Sequence, residues 1–286
     1  IITPIMLTTA RSYYCLILCT LSALLIAPGV MAQPQSGSEL SVSASVLHFG
    51  YQETDDDGSL LNREDGNIPG LVLGVSHTTN SWVFAGEASY HGGEVVYDGQ
   101  TNAVPPVPVK TRTLQNIGDM ALRSEYWMHP RYALYLGAGY HYWGRDIQPG
   151  TDVNGNPVGG LFEAYSWWSG FLGAKASLYE SGTSHWLVDA RLLQIINPTM
   201  SVRYSGYDSA TLKLGERPGL RIAAPWRYTI GKSSNLNIDP FAEVYELGRS
   251  ANTTLTSSGS PTGQQIYEPR SLTRNYGLNI GISQHF

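Results

Sequence analysis

The chain has 286 residues, with 18 basic and 23 acidic side chains and a formal charge of −5, a balance that argues against nucleic acid as a partner. Only 14% of residues are charged, against about a quarter in an ordinary soluble domain, while Gly (31), Tyr (18) and Trp (7) are abundant. Beyond the N-terminal segment no apolar run approaches the ~20 residues of a helical membrane span, so a membrane protein of this composition has to cross with strands.

Residues 1–5 are read as lying upstream of Met6. Arg11 then supplies a positive region, Tyr13 to Ala27 an apolar stretch, and Val30-Met31-Ala32 a small-residue cleavage site before Gln33. This predicts a signal peptide over residues 1–32 and export of residues 33–286 as one domain. Both cysteines, Cys15 and Cys19, fall in the removed segment. Taking Arg11 from 18 bases leaves 17 against 23 acids, so the exported part carries −6 and no disulfide. Something other than a cross-link has to hold it together, and a closed hydrogen-bonded sheet does so.

Period-two alternation recurs along the exported part. Leu40, Val42, Ala44 and Val46 alternate with serines, and Leu71, Leu73 and Val75 with Gly70, Gly74 and Ser76. Tyr132, Leu134, Leu136, Ala138, Tyr140 and Tyr142 share one face. So do Leu236, Ile238, Ala242 and Val244, and so do Tyr276, Leu278, Ile280 and Ile282. Short turns fall near Thr79-Asn80, His129-Pro130, 181–183 and 231–234. Longer polar connections cover 55–66, 99–110, 148–159, 195–216 and 250–267. Four short turns and five long loops join ten strands, with eight or twelve as alternatives. Met200 to Tyr204 and Thr211 to Leu214 are read as the arms of an external hairpin.

Aromatics bound the outward faces at Trp82 and Tyr90, Tyr132 and Tyr140, and Tyr276 and Phe286. Along tilted strands eight to ten residues rise ~20–25 Å, the height of an apolar band between two aromatic girdles. The opposite faces carry Glu87, Asp119, Arg123, Glu125, Lys175, Asp189, Arg191, Arg221, Arg227, Asp239 and Glu243. Six acids and five bases in one compartment have to be paired or hydrated. The expected fold is therefore all-β, a closed antiparallel transmembrane β-barrel of about ten strands whose lumen holds this charge network.

The segment Tyr276-Gly-Leu-Asn-Ile-Gly-Ile-Ser-Gln-His-Phe286 resembles the C-terminal strand of bacterial outer-membrane β-barrel proteins, with Gln284 polar where an apolar residue is commoner. The resemblance implies residence in the Gram-negative outer membrane, contact with its lipids and recognition by the barrel assembly machinery. It does not reach a subfamily.

A ten-strand barrel is narrow, and Tyr135, His141, Trp143, Trp167, Phe171, Phe241 and Tyr245 also face inward. The expectation is a structural or surface-binding scaffold with a largely filled lumen and a possible extracellular ligand at its loops, and no enzyme. A narrow passive pore is the alternative. A surface hydrolase is a second one, with His91, Glu94, Asp98, His141, Asp146 and Glu163 towards the external rim. No cofactor or catalytic motif is present; Asp55, Asp56, Asp57, Glu64 and Asp65, and Asp152 to Asn156, lack the spacing of a calcium loop.

Overall fold

A computed structural model describes residues 36–101, 105–204 and 206–286. The expected signal peptide, residues 1–32, lies outside them. In chain order the strands are β1 (Gly37–Thr54), β2 (Leu60–Thr79), β3 (Trp82–Gln100), β4 (Pro108–His129), β5 (Tyr132–Ile147), β6 (Gly150–Asp152), β7 (Pro157–Val158) and β8 (Leu161–Glu180). They continue with β9 (Ser184–Arg203), β10 (Ala210–Lys213), β11 (Pro218–Ala223), β12 (Trp226–Thr229), β13 (Ser234–Leu247), β14 (Thr253–Ser257), β15 (Ser260–Ile266) and β16 (Arg270–His285). β11 and β12 pair with the same two neighbours, β9 and β13, and form one interrupted strand. Antiparallel pairing then runs β1, β2, β3, β4, β5, β8, β9, β11–β12, β13 and β16, and β16 closes on β1 from Glu39↔His285 to Thr54↔Arg270. The fold is a closed ten-strand antiparallel barrel, and closure leaves none of its ten strands as a sheet edge.

The short turns lie where expected, and Asn80 takes φ 53° in the two-residue β2–β3 turn, a conformation Asn tolerates. The long connections are more ordered than expected. Of 55–66 only 55–59 is turn, because β2 begins at Leu60. Inside 148–159 lie β6 and β7, and inside 250–267 the β14–β15 hairpin turns on Ser258 and Gly259, both at positive φ. The hairpin expected within 195–216 is formed by the end of β9 and β10, with Ala210↔Val202 to Lys213↔Thr199 in register.

At 22 residues β4 is twice the ~9–11 that cross a bilayer. Its surplus stands beyond the apolar band, and the hydrophobic phase of the strands records the boundary. In the lower part apolar side chains point outward: Leu136 is 68% exposed and Leu122 71%. Above His48, Asn67, Asn116 and Ser166 the outer face becomes polar and the apolar side chains turn inward. Leu47, Phe49 and Tyr51 of β1 are buried, as are Trp143 of β5, Tyr165 of β8, and Met200 and Val202 of β9. The lower wall is apolar outside and the upper wall polar, so the strands invert their pattern, as a barrel wall does where it passes from an apolar surrounding into water. β9 does so through Asn197 (φ 50°), beside a register shift against β8.

Candidate functional site in the barrel interior

Three layers fill the barrel from the short-turn end upward. In the lowest, the Lys175 ammonium donates to Glu125 at 2.5 Å, Trp127 Nε1 donates to the same carboxylate at 2.6 Å, and Arg123 lies 3.6 Å away. Tyr135 donates to Asp189, and Asn279 donates to Asp239 at 3.4 Å. Arg227 pairs with Glu39 at 2.7 Å near the short-turn mouth.

The middle layer surrounds a cavity of about 120 Å³ lined by Glu87, Asp119, Arg191, Arg221 and Glu243 among others. His141 Nδ1 and Asp119 are 2.5 Å apart, and His141 stacks on Trp167 with ring centroids 4.0 Å apart. Arg191 lies over Phe171 and Arg221 over Phe241, at 4.5 and 3.9 Å from the ring centroids. Cross-strand glycines make room for these rings. A Cβ on Gly137 would meet Phe171 at 2.4 Å, and one on Gly70 would meet His91 at 2.3 Å.

The upper layer lies above the apolar band and is the part that residue patterns did not reveal. The Arg145 guanidinium, 1% exposed, donates to Glu64 at 2.9 Å, Glu53 at 2.9 Å, Glu163 at 2.6 Å and Asn62 at 3.3 Å. Glu64 also accepts from Thr113 and Gln115, Glu53 from Tyr51 and Asn62, and Glu268 from Tyr165 at 2.7 Å. Five strands and the segment before β16 contribute to this network. Four carboxylates face one guanidinium, and burial together with the charges of Glu53 and Glu163 pushes the Glu268 carboxyl well above the usual range. Burial also raises Glu163 despite Arg145 beside it. Beneath them Phe49, Tyr51, Trp143 and Tyr165 pack ring to ring, with Trp143 and Tyr165 stacked at 4.4 Å.

The external hairpins are tied to one another. Asp208, beside β10, accepts from Thr256 Oγ1 at 2.7 Å, Gly259 N at 2.9 Å and Ser258 N at 3.2 Å. Gly215 and Gly248 exchange backbone hydrogen bonds of 2.9 and 2.8 Å at an approach that a Cβ on either would block. Tyr267 donates to Asp55 at 3.2 Å, and Arg249 covers the Tyr267 ring.

Of the six residues expected to gather at the external rim, the structure separates the set. Glu94 pairs with Arg112, and Asp98 with Arg63 and Lys110, all on the outer wall, where Asp146 also lies. His91 faces inward on Ser45 at 2.8 Å, His141 inward on Asp119, and Glu163 inward on Arg145. The wall stands between the two groups because alternate strand residues point to opposite sides. Of the girdle aromatics, Trp82, Tyr132 and Phe286 mark the short-turn end of the band, Trp82 against Tyr126 at 4.9 Å. Tyr90, Tyr140 and Tyr276 mark the upper side; Tyr90 donates to Asn116 at 2.7 Å, Tyr140 packs on Trp168, and Tyr276 stacks on His48. Asp152 spends its oxygens on Asn154 N, Asn156 N and Asn156 Nδ2, an Asx turn.

No protein-family model and no curated protein sequence matches the chain. Among solved structures, the outer-membrane protease OmpT from Escherichia coli is similar over 92% of this chain and 100% of its own, with a TM-score of 0.60 and 12% identity. The translocator domain of the autotransporter NalP from Neisseria meningitidis is matched with a TM-score of 0.45 and 10% identity, over 96% of each chain. The Ralstonia pickettii toluene transporter TbuX is matched with a TM-score of 0.42 and 9% identity, over 93% of each. At the identity to OmpT the likeness is one of fold, and the fold is that of bacterial outer-membrane β-barrels.

Proposed function

We propose that the chain is an integral outer-membrane protein that serves as a closed scaffold, presenting its interlocked external hairpins to the cell exterior. The observation that carries this reading is the upper layer. Phe49, Trp143 and Tyr165, all at 0% exposure, lie under the Arg145 network and pack into the external half of the lumen. A conducting pore needs a continuous polar lining wide enough for a hydrated solute. The apolar band supports the membrane location, and the Asp208 and Gly215–Gly248 ties support a surface held in one shape for recognition. The test is planar-bilayer recording from pure refolded protein. The expected result is no reproducible conductance step, with steps appearing in a Trp143→Ala/Tyr165→Ala double variant that refolds. Stable unitary conductance from the unaltered chain would overturn the closed-scaffold reading.

A further inference from the structure

We propose that the mid-lumen cavity is a binding site for a small protonated amine. Three buried polar atoms around it have no hydrogen-bond partner: His91 Nδ1, His141 Nε2 and Asn275 Oδ1. His91 and Asn275 are only 5% and 8% exposed, so open solvent does not satisfy them. When the His141 ring is neutral and its Nδ1–H donates to Asp119, Nε2 is left as an acceptor. Asn275 Oδ1 is an acceptor as well.

The charges around the cavity point the same way. Among the described residues Glu87 has neither an ion pair nor a hydrogen bond, and Glu243 has only Arg221, 3.9 Å away and beyond hydrogen-bond reach. One layer below, Glu125 and Lys175 close directly on each other at 2.5 Å. The middle layer is therefore held open. Three carboxylates, Glu87, Asp119 and Glu243, stand against two guanidiniums, Arg191 and Arg221, leaving one negative charge in excess when the imidazoles are neutral. Both guanidiniums lie over aromatic rings, Arg191 over Phe171 and Arg221 over Phe241. A ligand that brings one positive charge and several N–H donors supplies what is missing. An anion of the same size would face Glu87 and Glu243, and an uncharged apolar molecule would leave the acceptors His141 Nε2 and Asn275 Oδ1 unpaired.

Size sets the class. The cavity, about 120 Å³, is somewhat smaller than the ~150 Å³ that holds one benzene. It accommodates a molecule of about four to six heavy atoms, an amine with a short polar or apolar tail.

The experiment uses the full barrel refolded in detergent in the presence of 2-aminoethanol at pH 7, so that access to the lumen does not limit loading. Acetate and 1-propanol serve as charge and size controls. The histidine ring nitrogens are followed by ¹⁵N NMR. The expected result is a saturable shift of His91 and His141 with a dissociation constant of about 1 mM, no saturable response to either control, and a roughly tenfold weaker response in Glu87→Gln. Among the described residues Glu87 makes no hydrogen bond or ion pair, so this variant should refold; Glu243→Gln provides a second reading if it does not. Absence of saturation, an equal response to 1-propanol or acetate, or affinity unchanged in both variants would show that the cavity holds water only and overturn the proposal.

Discussion

In the upper layer four carboxylates gather round Arg145, whereas within the apolar band seven acids, Glu39 among them, and five bases are spread over the lumen. The upper cluster is buried, and four of the five Arg145 N–H donors go to a carboxylate or to Asn62. The lower charges are looser: Arg123 stands 3.6 Å from Glu125, Arg221 stands 3.9 Å from Glu243, and Glu87 has no direct partner among the described residues. The difference follows from which way each wall turns its apolar side chains. Above the band the outer face is polar, so apolar side chains fill the interior, and the charged groups among them have to be fully paired. Within the band the apolar side chains point outward, the interior is left polar, and its charges are less closely paired.

Removing the central cation tests this contrast most severely. Arg145→Met leaves Glu53, Glu64 and Glu163 buried without a counter-charge, a change expected to cost about 3–5 kcal/mol. The barrel should then fail to refold or lose its heat-modifiable migration at much lower temperature. Lys175→Met in the lower layer leaves Glu125 with Trp127 Nε1, Arg123 and lumen water, and should cost about 1.5–3 kcal/mol. Equal losses for the two would mean that the layers do not differ in hydration.

The band boundary is open to a second test of nearly the same size. Leu136 is 68% exposed on the outward face of β5, in the middle of the band. Leu136→Arg should destabilise the barrel in lipid by about 2–4 kcal/mol, as a charge at mid-bilayer does. Leu114, outward on β4 beside Arg112 and Asn116, lies above the inversion, and Leu114→Arg should stay within about 0.5 kcal/mol. Refolding into vesicles followed by denaturant titration measures both.

The same inversion explains what could be read from residues alone. Below it, apolar out and polar in gives a clean period of two, and ten strands follow from segments such as Leu134 to Tyr142 or Tyr276 to Ile282. Near and above it the pattern weakens. In 62–66 both faces are polar, Arg63 and Asp65 towards water and Asn62 and Glu64 into the Arg145 network, so a continuous strand looks like an acidic loop. The network itself had no local signal. Glu53, Glu64, Arg145, Glu163 and Glu268 are far apart in the chain, and only closure of the barrel and its register bring them together. Glu163 was visible as an acid near the external side, but its partner was not. The inward aromatics followed from alternation, while the glycines facing them, such as Gly137 against Phe171, needed the cross-strand register.

A third prediction concerns protons in the upper layer. Glu268 has its carboxyl raised by burial and by Glu53 and Glu163, so the folded barrel holds that proton more tightly than the unfolded chain. Its contribution to stability is complete below the unfolded value, ~4.3, and is lost as pH rises through the folded value. The melting temperature of the unaltered barrel should therefore fall from about pH 4.5 upward through the folded value. Glu268→Gln is neutral at every pH and still accepts from Tyr165, so its curve should be flatter and lie a few degrees higher at neutral pH, at about 2–4 °C per kcal/mol. Superimposable curves would remove the proton from Glu268.

The smallest effect is expected where the external hairpins meet. Asp208 is at the surface, and its carboxylate caps the backbone of Ser258 and Gly259 and the hydroxyl of Thr256, which holds its own carboxyl below the usual range. Its hydrogen bonds are exposed or only partly buried and join connecting segments beyond the ten barrel strands, so Asp208→Ala should leave the melting temperature of the barrel almost unchanged. The free energy that changes is that of local opening, because β14 and β15 form a two-stranded sheet with few other attachments, and such a sheet is marginal on its own. Limited proteolysis at 252–266 should accelerate several-fold in Asp208→Ala while the barrel core stays resistant. If the cleavage rate does not change, the backbone exchange between Gly215 and Gly248 and the Tyr267–Asp55 contact suffice to hold the hairpin, and the tie through Asp208 adds nothing to the rigidity of the external surface.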